Sequence, residues 1–136
     1  MPSAATKRIT SEEYLARERL ATEKSEFFDG EVFAMTGGSA VHSLLAVNLS
    51  RELGNVLSKG PCRVFNSDMR VRTGTGLYTY PDVSVVCDVP EFEDDSSKDV
   101  LINPKVICEV LSPSTEAYDR GKKFEHYRTI ASVMEY

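Results

Sequence analysis

The chain has 136 residues and a formal net charge of -5, and 41% of its residues are hydrophobic while 27% are charged. This balance is typical of a globular domain with a single hydrophobic core, and it excludes a disordered or fibrous chain. No apolar run approaches the ~20 residues that cross a bilayer, and the N-terminus has no apolar stretch suited to export, so we expect a cytoplasmic protein with no membrane partner.

The N-terminal part of the chain predicts a short helix followed by a β-hairpin. Thr10, with Glu13 three residues later, forms a capping-box pattern that opens a helix through about Leu20. The segment Glu26–Met35 places an Asp-Gly dipeptide between two apolar stretches, and Asp-Gly favours a type I′ hairpin turn.

A second, longer helix is predicted after the glycine pair that follows the hairpin. Ser39 can cap this helix, and we expect it to be half-buried because apolar residues recur near helical spacing: Leu44, Leu45, Val47, Leu49, Leu53, Val56 and Leu57. The alternating segment Cys62–Val71 then predicts a strand pair or one bent strand, after which Gly74 and Gly76 turn the chain.

Two short β-branched runs, Pro81–Cys87 and Lys105–Leu111, predict central strands buried on both faces. The segment Glu91–Asp99 between them holds five acids and one lysine, with little apolar content, and predicts a mobile loop. Beyond Leu111, Ser114 or Thr115 can cap a helix through about Ile130, with a core stripe of Ala117, Phe124, Tyr127 and Ala131. Residues 133–136 resemble the start of another strand.

The informative feature is a pair of carboxylates, Asp82 and Glu109, inside or at the mouth of strands that otherwise appear buried. A buried carboxylate is costly unless it is paired or binds a metal, so the pair predicts either a cation site or a salt bridge to a buried Lys or Arg. Hard oxygen ligands without His or Cys favour Mg²⁺ or Mn²⁺, and a phosphodiester is then the natural substrate.

These residues resemble a known superfamily. Pro81-Asp82, followed by Glu109 on a second strand, resembles the PD-(D/E)XK motif of restriction endonucleases. The stretches EFFDGEVFAMTGG, PDVSVVCD and EVLSPSTEAYDRGKKFEHYR, together with His42, resemble the Uma-type family of restriction endonucleases more specifically. The resemblance implies an α/β, restriction-endonuclease-like fold over residues 1–136, with a mixed central sheet flanked by helices.

By this resemblance Asp82 and Glu109 are the metal ligands. The superfamily places a lysine two residues after the second acid, where this chain has Leu111, but the Uma-type pattern keeps a lysine on the following helix, which matches Lys123. Lys122 is the competing candidate for the catalytic amine. Glu26, ahead of the Asp-Gly turn, corresponds to a family glutamate and is either a third carboxylate of the site or an exposed residue at a strand edge.

The sequence predicts different roles for the two histidines, His42 and His126. His42 matches the family, and it either contacts phosphate or serves as a capping residue of the second helix. His126 lies on a basic helical face, and we expect no catalytic role for it. The three cysteines, Cys62, Cys87 and Cys108, form no zinc pattern, and we expect them to be buried reduced thiols.

A net negative charge argues against a nucleic-acid partner, but most of the excess lies in the acidic segment Glu91–Asp99. Arg70 and Arg72 share one side of a predicted strand, where they either bind a nucleic-acid backbone or only solubilise an edge strand. Residues 119–128 form a second basic patch, rich in Lys and Arg. DNA is therefore retained as the expected partner.

The resulting hypothesis is an Mg²⁺-dependent endonuclease that hydrolyses DNA phosphodiester bonds. The alternative is a catalytically degenerate nuclease fold that binds nucleic acid or a protein without cutting. The resemblance also implies that family members continue past the position of Tyr136, so this chain is expected to lack the C-terminal strands. An edge left open in this way favours a homodimer.

Overall fold

The computed structural model describes residues 8–35, 37–113 and 115–136. Its helices are α1 (Ser11–Leu20), α2 (Ala40–Leu57), α3 (Glu116–Arg120) and α4 (Lys122–Tyr127). Its strands are β1 (Ser25–Phe28), β2 (Glu31–Ala34), β3 (Arg63–Phe65), β4 (Arg70–Arg72), β5 (Tyr78–Thr79), β6 (Val83–Val86), β7 (Val100–Leu101) and β8 (Val106–Cys108).

The strands divide into two sheets. One has the order β2-β1-β5-β4-β7, and the other has the order β3-β6-β8. The first sheet is mixed, because β4 pairs with β7 in parallel while its other pairings are antiparallel. The α/β fold with a mixed sheet and flanking helices that the sequence predicts is therefore confirmed. Its buried apolar residues form two clusters, one under α1 and one beside β6, β8 and α4.

The two runs expected to be central strands lie next to each other as β6 and β8. Every residue of β6 is buried, and β6 is the middle strand of its sheet. In β8 only Ile107 is buried, while its two neighbours are partly exposed. After α4, Glu135 forms a parallel bridge to Val106, so the predicted start of another strand lies beside β8.

The helix cap and the hairpin turn near the N-terminus form as predicted. Thr10 caps α1 with both hydrogen bonds of the capping box, one to and one from Glu13. β1 and β2 form the expected antiparallel hairpin. Its two turn residues, Asp29 and Gly30, have φ angles of 49° and 82°, and two positive φ angles in succession are what a type I′ turn requires.

Helix α2 begins where Ser39 predicts it, with the Ser39 hydroxyl accepting a hydrogen bond from the His42 amide. The expected half-buried face is present, because partly buried residues recur at helical spacing along one side, namely Ala46, Leu49, Leu53 and Leu57, although no residue of α2 is fully buried. The helix contacts mainly β3 at one side, so much of its apolar surface lies outside the contact. The large apolar side chains that are exposed are Val41, Leu44, Leu45, Val47 and Val56.

The single C-terminal helix that the sequence predicts is divided in two at Gly121, whose φ and ψ angles of -100° and -93° are not helical. Thr115 occupies the N-cap position of α3 without a capping hydrogen bond from its side chain, and Ser114 lies outside the described residues. Of the expected core stripe only Tyr127 is buried. Three members of the stripe are exposed: Ala117, Phe124 and Ala131.

The acidic segment expected to be a mobile loop is tied to the body of the protein. Asp99 accepts two hydrogen bonds from Arg19 and lies 3.5 Å from Arg70, and Glu93 pairs with Arg72. The alternative in which Arg70 and Arg72 bind a nucleic-acid backbone is therefore not supported. Arg70 is buried against Tyr80, and the acids of the loop already neutralise both guanidinium groups.

The cysteines also differ from expectation. Cys62 and Cys87 form a disulfide, because they stand opposite each other just beyond the paired residues of β3 and β6. Cys108 is a free, partly buried thiol whose pKa is raised by burial and by the nearby negative charges of Glu109 and Asp82. Across the described residues, none of the helices combines the length and apolar character needed to span a bilayer.

Candidate active site

The pairing of β6 with β8 brings the two predicted carboxylates together. Asp82 immediately precedes β6 and Glu109 immediately follows β8, and Val83 stands opposite Cys108 in the antiparallel register. The residue before one strand therefore lies beside the residue after the other. The Asp82 amide donates to Glu109 Oε1 at 3.0 Å, and the Val110 amide donates to Asp82 Oδ2 at 2.7 Å.

Glu109 is the most enclosed acid of the group. Only 5% of its side chain is exposed, and its Oε2 accepts hydrogen bonds from the Tyr127 hydroxyl at 2.8 Å and from Lys123 Nζ at 2.7 Å. Burial raises the pKa of Glu109, whereas the charge of Lys123 and its hydrogen bond act in the opposite direction. The same enclosure raises the pKa of the Tyr127 hydroxyl well above its ordinary value, so Tyr127 stays a donor.

Lys123 points into the site from α4. Its side chain is 9% exposed, and Nζ lies 2.7 Å from Glu109 Oε2 and 3.6 Å from Glu26 Oε2. The neighbouring Lys122 is exposed. Of the two competing lysines, Lys123 is therefore the one that lies at the carboxylates. The salt bridge weighed as an alternative for the acids is thus present at Glu109.

Glu26 joins the site from β1 and is not an exposed edge residue. Its side chain is 17% exposed, and its Oε2 accepts a hydrogen bond from the Thr79 hydroxyl of β5. β1 and β5 are neighbours in the five-stranded sheet, so this contact forms across their pairing. The residues gathered at the site therefore come from both sheets and from α4.

The two histidines lie in different surroundings. His42 Nε2 lies 3.2 Å from Asp82 Oδ2, so its ring reaches the site from the first turn of α2. It does not cap the helix, because Ser39 does. His126 is hydrogen-bonded to Thr75 and packs against Phe28, and burial lowers its pKa.

These side chains line one wall of an open cleft of about 450 Å³. The end of the hairpin and the glycines before α2 also line the cleft. A second depression of about 870 Å³ runs on from it along α2, and the two share His42, Tyr80 and Asp82. The carboxylates are therefore accessible from a groove longer than a single small-molecule pocket.

The side chains at the cleft offer oxygen donors to a divalent cation. Among the residues that the structure describes, no three His, Cys, Asp or Glu side chains are arranged to hold a metal ion. Two carboxylates still suit magnesium, which keeps several waters and takes further oxygens from substrate phosphates. Asp82 and Glu109 share one hydrogen-bonded corner of the cleft and supply only oxygen, so they fit a hard cation.

Sequence reasoning did not identify Tyr127 and Thr79 as residues of the site. The sequence places Tyr127 in the core stripe and within the family-like stretch EVLSPSTEAYDRGKKFEHYR without giving it a role in the site, yet its hydroxyl donates to Glu109. One indication was available, because Tyr127 follows Lys123 by four residues and residues at this spacing share a helix face. For Thr79 no local pattern exists, since its contact with Glu26 depends on the pairing of β5 with β1.

Residues 11–136 match the model of the Uma2 family, which is described as a putative restriction endonuclease. The uncharacterized protein slr1290 of Synechocystis sp. (strain ATCC 27184 / PCC 6803 / Kazusa) is 45% identical over 136 residues, which cover 99% of this chain and 70% of the relative. The uncharacterized protein sll1609 of the same strain is 45% identical over 137 residues, covering 100% of this chain and 77% of the relative.

Among solved structures, the fold is similar to that of a putative nuclease belonging to DUF820 from Anabaena variabilis ATCC 29413. The TM-score is 0.74 at 22% sequence identity, and the match covers 93% of this chain and 72% of the other. This likeness shows a shared fold. The match of residues 11–136 to the family model establishes that the chain belongs to the Uma2 family, whose model is described as a putative restriction endonuclease.

Proposed function

We propose that this protein is a metal-dependent nuclease that hydrolyses DNA phosphodiester bonds, with Asp82 and Glu109 holding Mg²⁺ or Mn²⁺ and Lys123 assisting. One observation carries the proposal. Two carboxylates from paired strands meet at a cleft, and the amine of Lys123 lies 2.7 Å from one of them. Membership of a family described as a putative restriction endonuclease agrees with this combination.

Each residue has a distinct part in the proposal. A bound divalent ion supplies a nucleophile from water at neutral pH and neutralises charge on the phosphate. Asp82 and Glu109 provide the negative oxygens that hold it. Lys123 presents an ammonium group, which stabilises the negative charge that develops on the phosphate. Glu26 Oε2 lies 3.6 Å from the same amine and would help to keep Lys123 directed into the cleft.

A nucleic acid suits the shape of the site better than a small molecule does. The cleft at the carboxylates is open and continues along α2, so an extended backbone can pass the acids without entering a closed pocket. Phosphates along such a strand would carry the charge that an amine and a divalent cation attract.

A second candidate function is a nuclease fold that binds nucleic acid or a protein without cutting. One observation favours it, namely that Lys123 already balances the charge of Glu109 without any metal. A buried carboxylate paired in this way needs no cation to be stable. The two functions differ in their response to Mg²⁺ and Mn²⁺.

The test compares the wild-type protein with Asp82→Asn. This substitution keeps the size of the side chain and an oxygen that can accept from the Val110 amide, but it removes the charge. We expect Mg²⁺ or Mn²⁺ to raise the melting temperature of the wild type, by the equivalent of about 2.7 kcal/mol at a hundredfold excess over the dissociation constant. We expect no such rise in the variant, and at least about a hundredfold slower nicking of supercoiled plasmid DNA.

Asp88→Asn is the matched control, because Asp88 is exposed and lies beyond the other end of β6. It should keep both the response to metal and the nicking rate. If neither ion stabilises the wild type, the metal site is wrong and the binding function is preferred. If the ions bind but plasmid DNA stays intact, the metal site survives and the hydrolysis of DNA does not.

A further inference from the structure

One carboxylate oxygen of Glu109, Oε2, already accepts as many hydrogen bonds as its lone pairs allow. A carboxylate oxygen offers two lone pairs, and Oε2 accepts from the Tyr127 hydroxyl at 2.8 Å and from Lys123 Nζ at 2.7 Å. The other oxygen, Oε1, accepts from the Asp82 amide at 3.0 Å. A cation that binds Glu109 must therefore share this carboxylate with groups already in place.

The two donors on Oε2 differ in their freedom to leave. Tyr127 is fully buried in the core beside β6 and β8, and its hydroxyl is fixed by the packing of the ring. Lys123 ends in an ammonium group on a flexible four-carbon stem. It also has a second carboxylate within reach, because Glu26 Oε2 lies 3.6 Å from Nζ. Lys123 is therefore the donor that can yield.

The charges favour an exchange of cations. Glu26, Asp82 and Glu109 bring three carboxylates to the site, and their side chains are 17%, 17% and 5% exposed. Of the side chains that the structure describes around these acids, Lys123 is the cation that lies between two of them. Neighbouring carboxylates attract a cation, and an ammonium group held on Glu109 opposes a second cation at that carboxylate.

We propose that Lys123 is a resident cation of the site and competes with the divalent ion for Glu109. When the metal binds Glu109, the ammonium group of Lys123 moves to Glu26. The inference rests on the proposed metal site and deepens it. It assigns the lysine two opposing effects, since the amine weakens metal binding while it assists the reaction. It also gives Glu26 a role as the second carboxylate of Lys123.

The experiment measures Mn²⁺ binding to the purified protein without DNA, by calorimetric titration and by the electron paramagnetic resonance signal of free Mn²⁺. Lys123→Met keeps most of the apolar stem and removes the charge. We expect it to bind Mn²⁺ at least about tenfold more tightly than the wild type, because the competing ammonium is gone. Removing a proposed catalytic group should thus tighten the metal site, while nicking of plasmid DNA falls.

Lys123→Gln is the second variant, because loss of the lysine leaves buried carboxylates without their cation and Lys123→Met could fold poorly. The amide still donates to Glu109 without a charge, and the same tighter binding is expected. Lys122→Met removes an exposed positive charge one residue away and should leave the affinity unchanged. That control separates competition at Glu109 from a general effect of net charge.

The outcomes distinguish the two proposals. If the wild type binds Mn²⁺ and both Lys123 variants bind it equally or more weakly, the resident-cation inference is overturned and the metal site stands. If the variants bind Mn²⁺ and the wild type does not, the competition at Glu109 is supported, but the metal-dependent function proposed for the wild type fails. If neither the wild type nor the folded variants bind Mn²⁺, both the inference and the proposed metal site fail.

Discussion

Glu109 is held by donors from three parts of the chain, namely the Asp82 amide, the Tyr127 hydroxyl and the Lys123 amine. Such a set leaves a buried carboxylate well satisfied, which offsets the cost of taking its charge out of water. The position of each donor then matters more than its contribution to stability, because Glu109 can serve a metal only in a fixed orientation.

Tyr127→Phe tests this positioning. The substitution removes one hydroxyl and leaves the ring in place, so Glu109 loses a donor while the core keeps its packing. We expect the free energy of unfolding to fall by about 1.5–3 kcal/mol, which is the range for a hydrogen bond to a charged group. We also expect the rise in melting temperature on adding Mg²⁺ or Mn²⁺ to shrink, because the carboxylate is no longer fixed.

Tyr78→Phe is the control for that experiment. Its hydroxyl donates to Glu93 at 2.7 Å, so the same atom is removed from a tyrosine that also serves a carboxylate, away from the cleft. This variant should lose stability and keep the full response to metal. A Tyr127→Phe protein that is destabilised but responds to metal like the wild type would assign Tyr127 a structural role alone.

The carboxylate pair could be predicted because an acid stands at the end of each of two mostly apolar runs, which is a signal contained in each run. Other contacts of the site could not be predicted in the same way. Thr79 reaches Glu26 only through the pairing of β5 with β1, and His42 reaches Asp82 only through the placement of α2. Contacts of this kind depend on tertiary structure and leave no periodic trace in the sequence.

At the scale of elements, structure set by neighbouring residues was predictable. The capping box at Thr10 and the type I′ turn at Asp29-Gly30 are decided by side chains within three or four positions. How deeply α2 is buried was not predictable, because apolar periodicity indicates a face but not how completely it is covered. The same limit applies to the acidic segment Glu91–Asp99. Its composition indicates a loop, but the ion pairs that hold the loop in place come from arginines of α1 and β4.

Asp99 is the residue through which that segment is tied to α1. Hydrogen bonds from Arg19 lower its pKa from 3.8 to about 2, with burial opposing and Ser97 and Arg70 assisting. A carboxyl whose pKa is lower in the folded state stabilises the protein above its unfolded pKa, and the contribution is lost as the pH falls. We therefore expect the contribution of Asp99 to be present above about pH 4 and to vanish between about pH 4 and pH 2.

The measurement is the free energy of unfolding in urea, as a function of pH, for the wild type and Asp99→Asn. The variant should be less stable by about 1 kcal/mol at neutral pH, since the group is partly exposed and solvent screens the interaction. The two curves should converge as the pH approaches 2. Asp95→Asn, an exposed change in the same segment, should follow the wild type throughout. If the curves for the wild type and Asp99→Asn stay parallel down to pH 2, the variant loses stability for a reason other than the charge of Asp99.

At the scale of the whole molecule, the net charge of -5 does not show how the acidic and basic residues are distributed and paired. The acidic segment is folded back on Arg19, Arg70 and Arg72, so a part of the negative charge neutralises cations that could otherwise meet phosphate. Positive charge beside the cleft then comes from the C-terminal helices, where the exposed Lys122 stands next to Lys123. Few cations in this position predict weak DNA affinity with a shallow dependence on salt, because the slope grows with the number of phosphates that are neutralised.

Lys122→Glu tests which surface meets DNA. Affinity for a labelled duplex, measured by fluorescence anisotropy in the presence of a chelator, should fall by about tenfold at low salt, and the slope of log affinity against log salt should decrease in magnitude by about 1. Lys59→Glu changes the net charge equally, but Lys59 lies just beyond the C-terminal end of α2, at the opposite end from His42 and the cleft. It should change affinity little. An equal loss in both variants would mean that DNA responds to the total charge of the protein, and not to a surface beside Asp82 and Glu109.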